Sequence, residues 1–306
     1  MRSAQLAPSE KNGPSDNPGR GRIVAVGDLH GDFEATVDLL ELAALIDGHD
    51  HRWVGGATTL VQLGDILDRG AGEREILDLL DRLKREARAE GGEVHVVNGN
   101  HELMNVAGQF TYVSKAGFDA FAAFDDGDRR WTAYPPSRRG RRAAFSPGQP
   151  YAKRLAQYPV VLRLDDTLFV HAGLLPKHVT IGIEELNTRA KAFLLEGERK
   201  HWGFFADWDS PLNMRHYSKS PSAGDCALLA ETLKRTGTKR MVVGHTPQVR
   251  GVTAYCADQV WAIDVGVGRC CGNNRGALAI EGDRAIPLRF RPGPPPRLPN
   301  GQIMRH

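Results

Sequence analysis

The stretch Ile23-Val24-Ala25-Val26-Gly27-Asp28-Leu29-His30-Gly31-Asp32 decides how the rest of the chain is read. Its first four residues form an apolar run without polar alternation, the pattern of a short strand buried on both faces. The run ends in glycines, carboxylates and an imidazole. Beyond them Phe33, Val37, Leu40 and Ala44 recur at helical spacing. Strand, polar turn and helix in that order open a βαβ unit. The pattern then repeats. Thr58 to Leu63 reads as a second strand and runs into Gly64-Asp65-Ile66-Leu67-Asp68-Arg69-Gly70. Ile76, Leu79, Leu80, Leu83 and Ala87 mark one face of a long helix, and Gly91-Gly92 supplies its stop. Glu93 to Val97 reads as a third strand and ends in Asn98-Gly99-Asn100-His101-Glu102.

From Val160 onward the chain is richer in strands, expected at 160–164, 167–171, 239–243, 249–255, 259–265, 276–281 and 284–290. Helices at about 182–197 and 222–236 interrupt them. Two sheets packed face to face with helices outside satisfy this order. The expected fold is therefore a four-layer αββα sandwich of α/β class, in one domain over residues 22–290. Residues 1–21 and the Pro-rich residues 291–306 are expected to be a disordered leader and tail. Residues 125–150 break the rhythm. They carry Arg129, Arg130, Arg138, Arg139, Arg141 and Arg142 among Pro and Gly, and read as an irregular insertion or lid. Its arginines are either plainly solvated or placed to concentrate anionic substrate.

Bulk composition narrows the function. With 306 residues, 41% hydrophobic, the chain can bury a large core. A net charge of +3 and no basic-aromatic groove make no case for nucleic acid. No run is long enough to span a bilayer, and the N-terminus has no apolar stretch, so neither a membrane anchor nor a secretory signal is expected. The four cysteines, Cys226, Cys256, Cys270 and Cys271, are too few and too late for a disulfide framework. A reducing, cytoplasmic compartment is therefore the expectation. The adjacent pair Cys270-Cys271 reads either as small buried hydrophobes or as a redox switch.

The chemistry sits at the strand ends. Besides the three bursts above, two later strands end in His171-Ala172-Gly173 and Gly244-His245-Thr246-Pro247-Gln248. Ligands of open α/β sheets bind outside the carboxyl ends of the strands, so five such bursts would converge on one crevice. Carboxylate, imidazole and amide oxygen together suit manganese, iron or zinc. Asp28 and His30, two apart on an extended turn, can reach one ion. Asp65, from the neighbouring strand, is placed to bridge two, and Asn100, His171 and His245 would complete the second site. Two cations about 3.5–4 Å apart clamp a phosphate and bring the pKa of bridging water near neutrality. Read singly, each of these side chains is a turn former or a satisfied polar group. Read jointly, they are a site.

GDLHG, GDILDRG, GNHE, HAG and GHTPQ resemble, in order, the five motif blocks of the phosphoprotein phosphatases within the calcineurin-like metallophosphoesterase superfamily. The likeness spans roughly residues 22–281, and VGDLHGDF, WVGGATTLVQLGD and NGNHELMN are similar to the Shewanella-like branch. The resemblance implies a metal-dependent phosphatase acting on a phosphorylated protein or peptide, with two divalent cations, manganese foremost. It implies Asp28, His30 and Asp65 as ligands of the first metal, and Asp65, Asn100, His171 and His245 as ligands of the second. His101 matches the acid that protonates the leaving oxygen, Asp68 the carboxylate holding it, and Arg69 and Arg215 the phosphate clamp. Attack by hydroxide needs no nucleophilic Ser or Cys. Glu102 and Asn105 are expected to support the ligands without touching metal. The other seven histidines read as surface or packing residues. Where better-known eukaryotic relatives carry Asn-Tyr-Cys-Gly, this chain has Arg269-Cys270-Cys271-Gly272, which puts positive charge near the site and removes a tyrosine. The Shewanella-like branch leans towards phosphotyrosine. The alternatives are a small-molecule or nucleotide phosphoesterase of the dinucleoside polyphosphate hydrolase type, a metal-free binding module on the same fold, and a nuclease.

Overall fold

In the computed structural model, which describes residues 21–290, strand β1 (Ile23–Val26) is buried along its whole length. It pairs in parallel with β2 (Thr59–Gln62), which pairs in parallel with β3 (Glu93–Val96). Helices α1 (Phe33–Leu42) and α2 (Glu73–Ala89) make the two crossovers. Asp32 caps α1 by accepting the Ala35 N–H at 3.2 Å. Helix α3 (Asn100–Val106) starts directly after β3. Three further helices follow, α4 (Lys115–Asp119), α5 (Pro136–Phe145) and α6 (Pro150–Leu155).

The second sheet begins with the hairpin β4 (Val161–Leu164) and β5 (Thr167–Val170). Helices α7 (Pro176–Ile181), α8 (Ile183–Glu196), α9 (Arg199–Ala206) and α10 (Ala223–Thr236) lead to β6 (Arg240–Val243). The chain then forms β7 (Thr253–Tyr255), β8 (Val260–Ala262), β9 (Arg275–Glu281) and β10 (Arg284–Phe290). Two five-stranded mixed sheets result, in the orders β10-β9-β1-β2-β3 and β4-β5-β6-β8-β7. One continuous core fills the space between them and beneath the helices. The four-layer sandwich expected from the element order is the observed fold. The leader lies outside the described residues apart from Gly21, and the tail lies wholly outside them.

Strand register brings the polar turns together. Val26 pairs with Gln62, so two residues further on Asp28 lies level with Gly64, next to Asp65. Phe169 pairs with Val242 and Val243 with Ala262, which sets His171 beside Gly244 and His245 beside Asp264. The two sheets are stitched at this end, where Asp28 Oδ1 accepts the His245 N–H at 3.0 Å. Among the described residues, no helix is long and apolar enough to cross a membrane.

Two expectations need correction. Residues 125–150 are not an irregular lid. They contain a single 3-10 turn at Arg129–Trp131 and helix α5, with Gly140, Arg141, Ala144 and Phe145 on its buried face. Six arginines in a Pro/Gly setting hid an amphipathic helix, because one arginine stands where an apolar residue would mark the face. The cysteines are also paired, Cys226 with Cys256 and Cys270 with Cys271. The expectation of a reducing compartment rested on four cysteines too few and too late for a disulfide framework, and these two bridges weaken that ground.

Candidate active site

The crevice at the carboxyl ends of β1, β2, β3, β5, β6 and β8 is a cavity of about 200 Å³. Asp28, His30, Asp65, Asn100, His101 and His245 all line it, with Arg69 and Arg215 at its rim. His171 lies just behind them, its Nε2 3.0 Å from Asn100 Oδ1 and 3.3 Å from Asp65 Oδ2. Asp68 is the remaining residue singled out from sequence, and it lies wholly buried beneath His101. All ten are thus brought into one place.

The turns that carry them are strained. His30, Asp65, Asp68, Arg69 and His245 have φ of 49°, 53°, 71°, 69° and 64°, a region that side chains with a Cβ avoid. Such strain, of order 1 kcal/mol per residue, survives only where surrounding bonds hold it, and it gathers at functional sites. The holding bonds are visible. Asp65 C=O accepts the N–H groups of Leu29 and His30 at 3.0 and 2.9 Å. Glu102, fully buried, accepts four: Asp65 N (2.8 Å) and Gly99 N (2.7 Å) on Oε2, Ile66 N (3.0 Å) and Leu67 N (3.2 Å) on Oε1. Gly64 and Gly99 let the second and third turns touch, since a Cβ on either would collide with the other turn's backbone.

Two groups of side chains could each hold a cation. His30, Asp65 and His101 form one, and Asp65, His171 and His245 form the other, each with ligand atoms within 4.8 Å of one another. Asp65 belongs to both. A buried carboxylate between imidazoles on two sides fits a pair of borderline divalent cations. Asp28 approaches the first group, its Oδ2 4.0 Å from His30 Nε2. His101 enters that group geometrically through Nε2, 3.7 Å from Asp65 Oδ2. Its Nδ1 is 2.5 Å from Asp68 Oδ2, so this side chain is held by a second carboxylate that no other imidazole of the site shares.

Electrostatics follow from burial and crowding. Burial, with Asp264, pushes the Asp28 carboxyl well above the usual range. Burial also acts against a charge on Asp65, but His171, His101 and His30 outweigh it and hold the carboxyl well below its usual value. Burial opposes charge on His171 too, yet Asp65 and Asp28 prevail and push that imidazole up to about 10. His101 is raised in the same way, by Asp65 and Asp68 against burial. Burial, with His101 and Arg69, brings His30 down to about 4. Burial, with His171 and Arg215, brings His245 well below its ordinary value.

Four participants were not picked out from sequence. Asp264 follows β8 and lines the cavity, pushed up to about 6 mainly by burial. It is a strand-end carboxylate like Asp65, and that signal could have found it. Tyr112 stands at the mouth, half exposed, with its ring 5.0 Å from that of His101 and 5.8 Å from the Arg69 guanidinium carbon. Cys271 Sγ accepts from Arg69 Nη1 at 3.1 Å, which only the fold could show. Arg141, expected on a surface lid, is fully buried and bonded to Asp68. Arg269 adds less free charge than expected, because Asp32 (3.0 Å) and Glu34 (3.2 Å) engage it. Glu102 and Asn105 touch the turns and Asp68, as supports would.

A crevice of carboxylates and imidazoles at the strand ends of an αββα sandwich is what a metallophosphoesterase presents. Residues 21–249 match the family described as calcineurin-like phosphoesterase, and the chain belongs to that family. It is 37% identical over 285 residues to Shewanella-like protein phosphatase 2 of Arabidopsis thaliana, covering 82% of this chain and 73% of that protein. It is 29% identical over 260 residues to Shewanella-like protein phosphatase 1 of Plasmodium berghei, covering 81% of this chain and 67% of that one. Among solved structures, the cold-active protein-tyrosine phosphatase of a psychrophilic Shewanella species matches with a TM-score of 0.73 at 25% identity, covering 88% of this chain and 78% of that one. The chain is a phosphatase of the hydrolase class, and its family uses divalent metal ions.

Proposed function

We propose that this protein is a phosphoprotein phosphatase that hydrolyses phosphate monoesters directly, with a preference for phosphotyrosine. One observation carries the reading. The two groups that could hold cations share Asp65, and His101, backed by the buried Asp68, faces the same small cavity as two arginines. Asp28, His30 and Asp65 would hold one divalent cation, and Asp65, Asn100, His171 and His245 the other. When bound, such cations supply Lewis acidity and ionise water near neutral pH. The donor set of imidazole, carboxylate and amide supports manganese, with iron or zinc as substitutes.

The chain's own residues do the rest. Arg69 is exposed at the rim, and Arg215 is tethered by Nη1 to His245 C=O (3.0 Å) and Thr246 Oγ1 (2.9 Å). Their forks would grip the non-bridging phosphate oxygens. His101, whose imidazole Asp65 and Asp68 push upward against burial, would donate its Nε2 proton to the leaving oxygen. Water gives up one proton as its oxygen bonds to phosphorus, the ester P–O bond breaks with its electron pair going to the leaving oxygen, and that oxygen takes the His101 proton, which the one lost by water replaces. Inorganic phosphate and an alcohol or phenol result. Among the described residues the cavity lining holds no serine, and its one cysteine, Cys271, is tied up in the disulfide with Cys270. The phosphotyrosine preference is supported by the Tyr112 ring at the mouth and by the likeness to the Shewanella protein-tyrosine phosphatase.

The test is turnover of a phosphotyrosine peptide, a phosphoserine peptide and a dinucleoside polyphosphate on one preparation of measured metal content. The proposal expects kcat/KM highest for the phosphotyrosine peptide. Turnover of the nucleotide alone would refute it.

A further inference from the structure

The His101–Asp68 pair is not held by the metal-bearing turns alone. Arg141, delivered by helix α5, sits wholly buried behind it. Its Nη2 donates to Asp68 Oδ1 at 3.1 Å and its Nε to Asn105 Oδ1 at 2.7 Å. Nη1 donates to Glu73 Oε2 at 2.6 Å and to Gly117 C=O at 3.0 Å, and Nη2 also reaches Glu73 Oε1 at 2.8 Å. Asn105 Nδ2 in turn donates to Asp68 Oδ1 at 2.8 Å. The guanidinium is also clamped between Phe121 and Phe145, 5.0 Å from each ring centroid. Every polar atom of Asp68 is occupied: Oδ1 by Arg141 and Asn105, Oδ2 by His101, the backbone N–H by Glu73 and the backbone C=O by the Gly70 N–H.

A side chain this buried and this fully bonded is not a solvated lid arginine. Its five donors fit a planar fork and nothing else in the repertoire. Asp68 itself lies in a left-handed turn, φ 71°, so its direction is not secured by local backbone preference. We infer that Arg141 is a positioning residue for proton donation. It locks Asp68 Oδ1 so that Oδ2 can hold the His101 ring with Nε2 facing the leaving oxygen. Arg141 touches no substrate and acts only through Asp68. This role rests on the reading of His101 as the proton donor given above.

The experiment compares two substrates on the intact protein. Dinitrophenyl phosphate has a leaving group that departs without a proton, whereas a phosphoserine peptide releases an alkoxide that needs one. A general acid contributes about 10²–10⁴ in rate where it is needed. Arg141→Lys, which keeps charge but loses the fork, is expected to lose about thirtyfold or more in kcat on the phosphoserine peptide. On dinitrophenyl phosphate it should lose less than about threefold, with KM and metal content unchanged. Glu73→Gln, which loosens the fork from its other side, should show the same split and serves if Arg141→Lys folds poorly. Arg141→Ala should recover phosphoserine turnover when guanidinium is added at non-denaturing concentration. His101→Asn is the control. If it shows the split and both other variants lose the two substrates equally or not at all, the inference about Arg141 is overturned while the proton-donor reading stands. If His101→Asn itself loses both substrates equally, the proton-donor reading fails and the inference fails with it.

Discussion

Replacing Glu102 with glutamine should uncouple the two halves of the site, because one carboxylate holds the second and third turns together. Both its oxygens are acceptors, each taking two backbone N–H groups, from Asp65 and Gly99 on one side and from Ile66 and Leu67 on the other. An amide keeps only one acceptor. Whichever way it flips, its NH₂ faces two N–H donors in a place without solvent access, since Glu102 is 1% exposed. A buried donor left unpaired costs about 1–3 kcal/mol, so two cost about 2–6 kcal/mol. That is a large share of the roughly 5–15 kcal/mol that holds a domain together. The loss falls on the turn carrying Asp65, Asp68 and Arg69, whose positive φ angles relax if the bonds holding them are removed. The variant should therefore unfold at lower urea and bind less of both metals. Urea unfolding followed by circular dichroism, with metal content by mass spectrometry on the same sample, measures both. An unfolding free energy within about 0.5 kcal/mol of wild type, with full metal content, would refute the reasoning.

Asp65→Asn is expected to weaken both cation sites together, because Asp65 belongs to both groups of ligand atoms. Metal titration showing one site intact would remove it from the shared position. His178 is buried with Nδ1 accepting the Leu175 N–H at 3.1 Å, and burial with Lys177 brings its pKa down to about 4. The unfolded imidazole takes up a proton near pH 6.5 and the folded one does not, so this group's stability is complete above pH 6.5 and lost as pH falls towards 4. Between pH 7 and 5 the loss is about 2 kcal/mol, and it should be absent in His178→Gln. Parallel pH profiles of unfolding free energy for the two proteins would count against it. Reducing the Cys270–Cys271 disulfide with dithiothreitol frees a thiol beside Arg69, which Cys271 already contacts. Competition for that arginine, worth up to about 1 kcal/mol at an exposed pair, should raise KM for aryl phosphate up to about fivefold. The Cys270→Ala/Cys271→Ala variant should not respond. An unchanged KM in wild type, with both thiols labelled, would sink this expectation.

Much of the molecule is written locally. Ile23-Val24-Ala25-Val26 and its successors had to be buried strands, because unbroken apolar runs can be satisfied only between layers. The polar turns after them had to gather at one end, because parallel strands all finish on the same side. The order of elements also announced two sheets. What sequence could not show is which distant pieces face each other. The return of β9 (Arg275–Glu281) to pair antiparallel with β1 depends on packing between segments some 250 residues apart. Arg141 is the sharpest case. Among six neighbouring arginines its sequence context is indistinguishable, yet it alone of those six is fully buried. A buried guanidinium is tolerable only where carboxylates, an amide and aromatic faces already surround it. Phe145 stands on the same helix, but Asp68 and Glu73 come from the second turn and the start of α2, Asn105 from α3 and Phe121 from the segment after α4, and these meet Arg141 only in the folded chain.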